Sequence, residues 1–335
     1  MRAEKTFVTV VSVTKEVAPG KFLFAKKEDL IGLAPDRFEV RMEGTAAELE
    51  SGAVYVLGHS GFLSNFRYPG VKHDDPEGAK VFEVPGVGPA LFEDSPTARF
   101  LVTSSDPAKP APDRHVLDAI LAQLARPHVL SRRLAVVELY FRPELGGMIA
   151  DRDLLALGAV LADSGLEPVV RDYLLQSASS WPEPARGAWL VQEARAALAA
   201  QPSAQFDLSS AVPSLVATSL RILRASGRPA DAPAVVRFLE SNNAYVADAA
   251  LRVLEVQAPA TALPEAEEAL TKKTVTGETR RSLERYVQEE KKKRPSREGS
   301  TNHETRGPPD AAAPPKLSSF ALSLLVAPTI LSSVQ

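Results

Sequence analysis

Residues 231–257 read DAPAVVRFLESNNAYVADAALRVLEVQ and carry the punctuation of two short helices. Asp231 is placed to cap the first, and Pro233 falls in its first turn, where a missing N–H costs little. Val235, Phe238 and Leu239 then form one apolar stripe. After the polar turn Ser241-Asn242-Asn243, a second helix sets Ala247, Leu251 and Leu254 on one face, with Val246, Ala250 and Val253 beside them. Asp248, Arg252 and Glu255 take the opposite side. Neither stripe can be covered within the pair, so both require neighbours of the same type.

Such neighbours are present. LRVL at Leu251 is preceded by LRIL at Leu220, 31 residues earlier, and SLERYV places Leu283 32 residues later. The stretch 261–270 supplies a first helix for that last unit, while VVRDYLL (169–175) and RLAVVELYF (133–141) fill comparable second-helix places upstream. Spacings of roughly 31–40 residues belong to stacked helix pairs. The periodicity predicts helices over 114–126, 132–141, 151–163, 167–178, 184–200, 208–225, 232–241, 244–256, 262–272 and 277–292.

The passage resembles HEAT repeats of the short bacterial kind, whose aPaLvelL…vRaaAaeaL pattern pairs an A helix with a B helix. DAPAVVRFLES matches the first and AYVADAALRVLE the second. One departure is that the arginine the family often carries near the start of helix B is replaced by Ala247 or Asp248. The resemblance covers 211–290 best and extends over 114–290. It implies an α-solenoid used for protein contact rather than an activity.

Upstream, residues 1–105 favour strands. Phe7, Val8, Val10, Val11 and Val13 form one run, and Phe38–Met42, Ala53–Leu57, Lys80–Val84 and Arg99–Thr103 are further candidates, with Gly and Pro between them. Five to seven short strands in about 100 residues predict a small all-β barrel or sandwich. The passage from FEVRMEG through the turn at Ser51 into AVYVL is similar to netrin-like OB barrels. Three prolines in 106–113 mark a stiff linker. The expected class is thus a multi-domain α+β chain: a β domain, a Pro-rich linker, helical repeats over 114–292, and a Pro-rich charged linker at 293–316.

Composition excludes several chemistries. No cysteine is present, so there is no disulfide and no thiolate metal site. A net charge of −3, with 21 basic against 23 acidic residues in 111–292, weighs against nucleic acid as the partner. GHSGF at Gly58 lacks the final glycine and the following helix of a nucleophile elbow, so Ser60 is read as part of a hairpin or loop. His73-Asp74-Asp75 is a solvated turn rather than a cation site, which needs three or four convergent ligands. Asp151 and Asp153 begin a helix and answer its free N–H groups.

No signal peptide is read at the N-terminus. From Leu317 to Val334 the chain is uncharged over 18 positions, about 27 Å as a helix against a bilayer core of about 30 Å. That tail is a candidate membrane contact. The expected function is a non-enzymatic protein–protein interaction scaffold without a cofactor. Its alternatives are a ligand-binding or enzyme-associated β domain on a helical platform, and a nucleic-acid-binding array. The candidate partner contacts are Arg221, Arg224, Arg237, Tyr245, Arg252 and Tyr286, with Trp189 beside them.

Overall fold

Strand β1 (Thr6–Ala18) is almost wholly β-branched from Thr6 to Thr14, a composition suited to a sheet buried on both faces. A computed structural model describes residues 6–42, 49–60, 79–81, 83–84, 87–104, 114–182 and 187–298. Its contacts divide the chain into Met1–Glu290 and Lys291–Gln335. The linker 106–113, the His73-Asp74-Asp75 turn and the tail from Leu317 to Val334 lie outside the described residues.

β1 turns at Gly20, whose φ of 70° puts it in the left-handed region that favours glycine, into β2 (Lys21–Ile31). β2 is absent from the sequence reading because Lys26, Lys27, Glu28 and Asp29 hide its alternation. Phe22 and Phe24 nonetheless turn inward, and the Lys26 ammonium is held by Asp29 at 3.0 Å and the Ala34 carbonyl at 2.6 Å. β3 (Arg37–Arg41) and β4 (Val54–Ser60) follow, antiparallel to β2 and β1 respectively. β5 (Ala79–Lys80) runs parallel to β3, and the next residue, Val81, bridges antiparallel to His59 on β4. β6 (Glu83–Val84) and β7 (Gly88–Pro89) pair with each other, and β8 (Leu91–Glu93) pairs with β4. The main sheet is ordered β5-β3-β2-β1-β4-β8 and is antiparallel but for its short β5 edge.

The two faces of this sheet serve different cores. Val11, Val13, Phe24, Phe38, Val40 and Leu57 pack together on one side. Val8, Val10, Val56 and Phe92 face the other way and join the same apolar cluster as the helices.

Residues 99–103, expected as a strand, are helical. They belong to α1 (Pro96–Ser104), in which Ser95 Oγ accepts the Ala98 N–H at 3.1 Å and Ala98, Leu101 and Val102 share the buried face. A proline in the first turn and an i, i+3, i+4 apolar spacing outweigh the β propensity of Phe, Val and Thr. Ten further helices follow: α2 (Arg114–Ala125), α3 (Val129–Phe141), α4 (Asp151–Ala162), α5 (Pro168–Ser179), α6 (Gly187–Ala199), α7 (Val212–Ser226), α8 (Ala232–Val236), α9 (Ala244–Gln257), α10 (Pro259–Thr271) and α11 (Gly277–Glu298). The molecule is therefore α+β, an N-terminal sheet followed by helices.

The helices pack in a regular order. α3 lies against α5, α5 against α7 and α7 against α9, while α2 touches α4 and α4 touches α6. LRIL and LRVL sit on α7 and α9, and Val216, Leu220, Val253 and Leu254 are fully buried there. Several side-chain bonds between segments span similar lengths of chain: Arg132–Asp163, Arg133–Glu167, Arg195–Asp231, Arg237–Leu198 O and Thr279–Ser241 O.

One local expectation is corrected in the opening stretch. The Asp231 carboxylate does not cap α8. It takes the Arg195 guanidinium at 2.7 and 3.0 Å and the Arg228 N–H at 2.8 Å, because Pro229–Asp231 winds as a 3₁₀ turn that points it back toward α6. The expected helix 232–241 is also split, with Arg237–Glu240 completing it as 3₁₀. Asn243 does cap α9, accepting the N–H groups of Tyr245 and Val246.

Between α3 and α4, the 3₁₀ turn Pro143–Met148 packs Gly146 under the fully buried Trp181 ring. A Cβ on Gly146 would stand 2.3 Å from Trp181 Cδ1. Gly146→Ala is expected to cost about 2 kcal/mol through overpacking, read as a lowered urea midpoint together with shifted tryptophan emission.

Candidate functional site

The packing order brings the C-terminal ends of α3, α5 and α7 side by side, with the start of α6 closing one wall. A groove of about 530 Å³ runs across them. Its apolar surface comes from Pro143, Leu190 and Ile222, and its polar surface from Tyr140, Gln176, Ser177, Ser179, Ser180, Thr218 and Arg221. The three serines donate their hydroxyl protons to carbonyls of their own helix, Ser177 to Tyr173, Ser179 to Leu175 and Ser180 to Ser177. Ser177 is buried, whereas Ser179 and Ser180 are exposed at the groove. Among the described residues the lining contains one formal charge, the Arg221 guanidinium, and no carboxylate.

Tyr140 is held in the wall by an edge-on contact with Tyr173, their ring centroids 4.9 Å apart. Burial pushes the Tyr173 phenol up to about 12, with Tyr140 and Asp172 adding to the shift. A folded-state value above the unfolded value of about 10 means that the neutral phenol stabilises the fold. That contribution is lost as pH rises through 10 and beyond, because the unfolded chain then releases its proton first. A spectrophotometric titration is expected to show one of the six tyrosines ionising near 12, and Tyr173→Phe should delete that late step.

The sequence candidates are distributed unevenly. Arg221 lines the groove and donates to Thr218 Oγ1 at 2.8 Å. Arg224, one turn on, is exposed in the last turn of α7. Arg237 is committed to structure: it donates to the Leu198 carbonyl at the end of α6 at 2.6 Å, and its guanidinium sits 4.7 Å from the centroid of the Phe238 ring. Arg252 is paired with Asp248 at 2.7 Å on its own helix. Tyr245 is exposed on the first turn of α9, whereas Tyr286 packs partly buried against the core. Trp189 stacks on Trp181 with ring centroids 6.3 Å apart. Sequence reading did not find Tyr140 or the QSASS end of α5. The only signal was a run of small polar residues where a helix stops, which reads as an ordinary terminus.

A second cavity, of about 680 Å³, lies between β4, β8 and the start of α3. Three of its charged residues are paired: Glu93 meets Arg126 at 3.2 Å and Ser131 Oγ at 3.0 Å, Asp94 meets Arg99 at 2.6 Å, and Arg133 is bound by Glu167 at 2.7 Å. In the GHSGF stretch, His59 is fully buried beside Thr9 Oγ1 at 3.0 Å, stacked against Phe7 and tilted against Phe38. Among the described residues no three His, Asp or Glu side chains gather as a metal site, and no helix is long and apolar enough to cross a membrane. No family model matches the chain, and no curated protein or solved structure matches it.

Proposed function

We propose that the chain is a non-enzymatic protein-binding scaffold, a HEAT-like helical stack closed at its N-terminal end by an OB-like barrel. The stack reading is supported by an arginine device that recurs near the start of the second helix of a pair. Arg171 on α5 donates to the carbonyls of Leu166, Asp163 and Leu161, five, eight and ten residues back. Arg280 on α11 reaches Val275, Lys272 and Leu270 at the same three offsets. Arg132 on α3 takes the Leu124 carbonyl at 3.3 Å and crosses to Asp163 of the next pair at 2.7 Å. These guanidinium groups satisfy helix-end carbonyls that would otherwise be orphaned in a tightly packed layer.

The barrel reading is supported by the two links that join the edges of the sheet, β3 to β5 and Val81 to His59. Its interior is filled by Phe24, Phe38, Leu57 and His59. That filling weighs against a ligand-binding β domain and favours a capping role. Val8, Val10, Val56 and Phe92 cover apolar surface that the first helix pair cannot cover itself. α11 buries the stripe Thr279, Leu283 and Val287. Nucleic-acid binding is disfavoured because Arg114, Arg133, Arg195 and Arg252 are tied to carboxylates.

The groove across α3, α5 and α7 carries the functional reading, since it is an amphipathic concavity made by successive helices, with no acid among its described lining residues to neutralise its cation. The test places a photo-crosslinking phenylalanine at Ser179 or Ala225, both in the lining, and at the exposed Gln192 on α6. The same protein adduct is expected from both groove positions and not from Gln192. Adducts of equal yield from Gln192, or none from the groove, would sink the scaffold reading.

A further inference from the structure

We infer that the groove across α3, α5 and α7 binds an extended peptide segment of about six residues that carries a carboxylate toward Arg221 and an aliphatic side chain over Leu190 and Ile222. The inference rests on the scaffold reading and gives its partner a chemistry.

Length follows from helix spacing. Packed helices stand about 8–10 Å apart, so three consecutive ones present about 16–20 Å of surface. An extended chain advances about 3.3 Å per residue, which gives about six residues. The lining supplies what a bare backbone needs. The exposed Ser180 oxygen faces incoming N–H groups as an acceptor, while the Gln176 amide and the Tyr140 hydroxyl answer carbonyls.

Charge selects the side chain. Arg221 donates to Thr218 Oγ1, and among the described residues no ion pair holds it; a guanidinium has five N–H groups in a planar fork that matches a carboxylate. Arg171 and Arg237, by contrast, are spent on helix-end carbonyls. The helix dipole does not account for Arg221, because Arg224 already occupies the last turn of α7. The C-terminal ends of α3, α5 and α7 themselves disfavour an anion placed over them. This confines the carboxylate to the guanidinium at one end of the groove and leaves the middle for an uncharged apolar side chain.

The molecule carries its own reporter. The chain has two tryptophans, and both adjoin groove residues: Trp181 follows Ser180, and Trp189 precedes Leu190. The experiment titrates the full chain, by tryptophan emission, with acetylated and amidated hexapeptide pools of the patterns Glu-X-X-Leu-X-X and X-X-Leu-X-X-Glu, X being uncharged. Matching pools carry Gln or Lys in place of Glu.

In at least one orientation the Glu pool is expected to bind about tenfold more tightly than the Lys pool, with an advantage that shrinks as salt is raised. Arg221→Ala should bring the Glu pool to the level of the Gln pool without weakening the latter. A Glu pool no tighter than Lys, or a preference that survives Arg221→Ala, overturns the inference. If the Gln pools bind and Ala225→Trp abolishes that binding while no carboxylate preference appears, the scaffold reading stands and only the ligand class is wrong. If no pool binds the native chain, both fall together.

Discussion

Arg114→Ala is expected to lower the stability of the fold by about 3 kcal/mol at neutral pH and by progressively less as pH falls below the ordinary carboxylate value of about 3.9. Arg114 opens α2 and grips the Asp153 carboxylate with two bonds of 2.6 Å. Asp153, at the start of α4, is 3% exposed, so removing its partner strands a charge with little water to receive it. The remaining support is the Ala150 N–H at 2.9 Å and a loose approach of Arg152 at 3.7 Å. The Arg114 guanidinium holds the Asp153 carboxyl below its ordinary value, with the Ala150 N–H assisting and burial opposing.

The sign follows from that direction. A depressed folded-state pKa contributes stability above the unfolded value of about 3.9. The contribution is lost as pH falls through the lower folded value, where the native carboxylate finally takes its proton. Native and variant unfolding curves in urea are therefore expected to lie far apart at pH 7 and to converge in acid. A gap that stays constant to pH 2.5 would mean that lost packing of the arginine stem, and not the charge pair, sets the cost.

The same pair illustrates what could be read in advance. That Asp153 starts a helix was legible, because acids favour an N-terminal turn wherever it lies. That it also binds an arginine 39 residues upstream was not, since the partner is set by which helices are stacked. The helices that carry Leu220 and Leu251 were legible because their apolar stripes are dictated by burial. Strand β2 was lost because Lys26 and Asp29 satisfy each other locally, a compensation that hydropathy alternation does not register. Residues 99–103 misled in the opposite sense, their β-branched composition concealing a capped helix.

The groove was least legible. Arg221 and Arg237 look alike in sequence, yet one faces the groove and the other closes the end of α6. Only the neighbouring pair decides between the two.

Arg171→Ala is expected to be the most damaging single change discussed, costing about 4 kcal/mol. Three carbonyls between α4 and α5 lose a charged donor together, in a setting where burial already pushes the guanidinium below its ordinary value. Arg171→Lys should recover little, because an ammonium cannot span three acceptors laid out for a planar fork. Arg280→Ala removes the same kind of clasp from α10 and α11, the last described pair of the proposed stack. In a stack held by nearest-neighbour contacts, loss at an end frays that end, whereas loss in the middle uncouples the two halves. Hydrogen exchange should therefore show faster exchange confined to 259–290 in Arg280→Ala, with the main unfolding transition nearly in place. In Arg171→Ala the main transition itself should fall or split into two. Equal, global losses from both variants would mean that the helices form one cooperative core and not a stack of pairs.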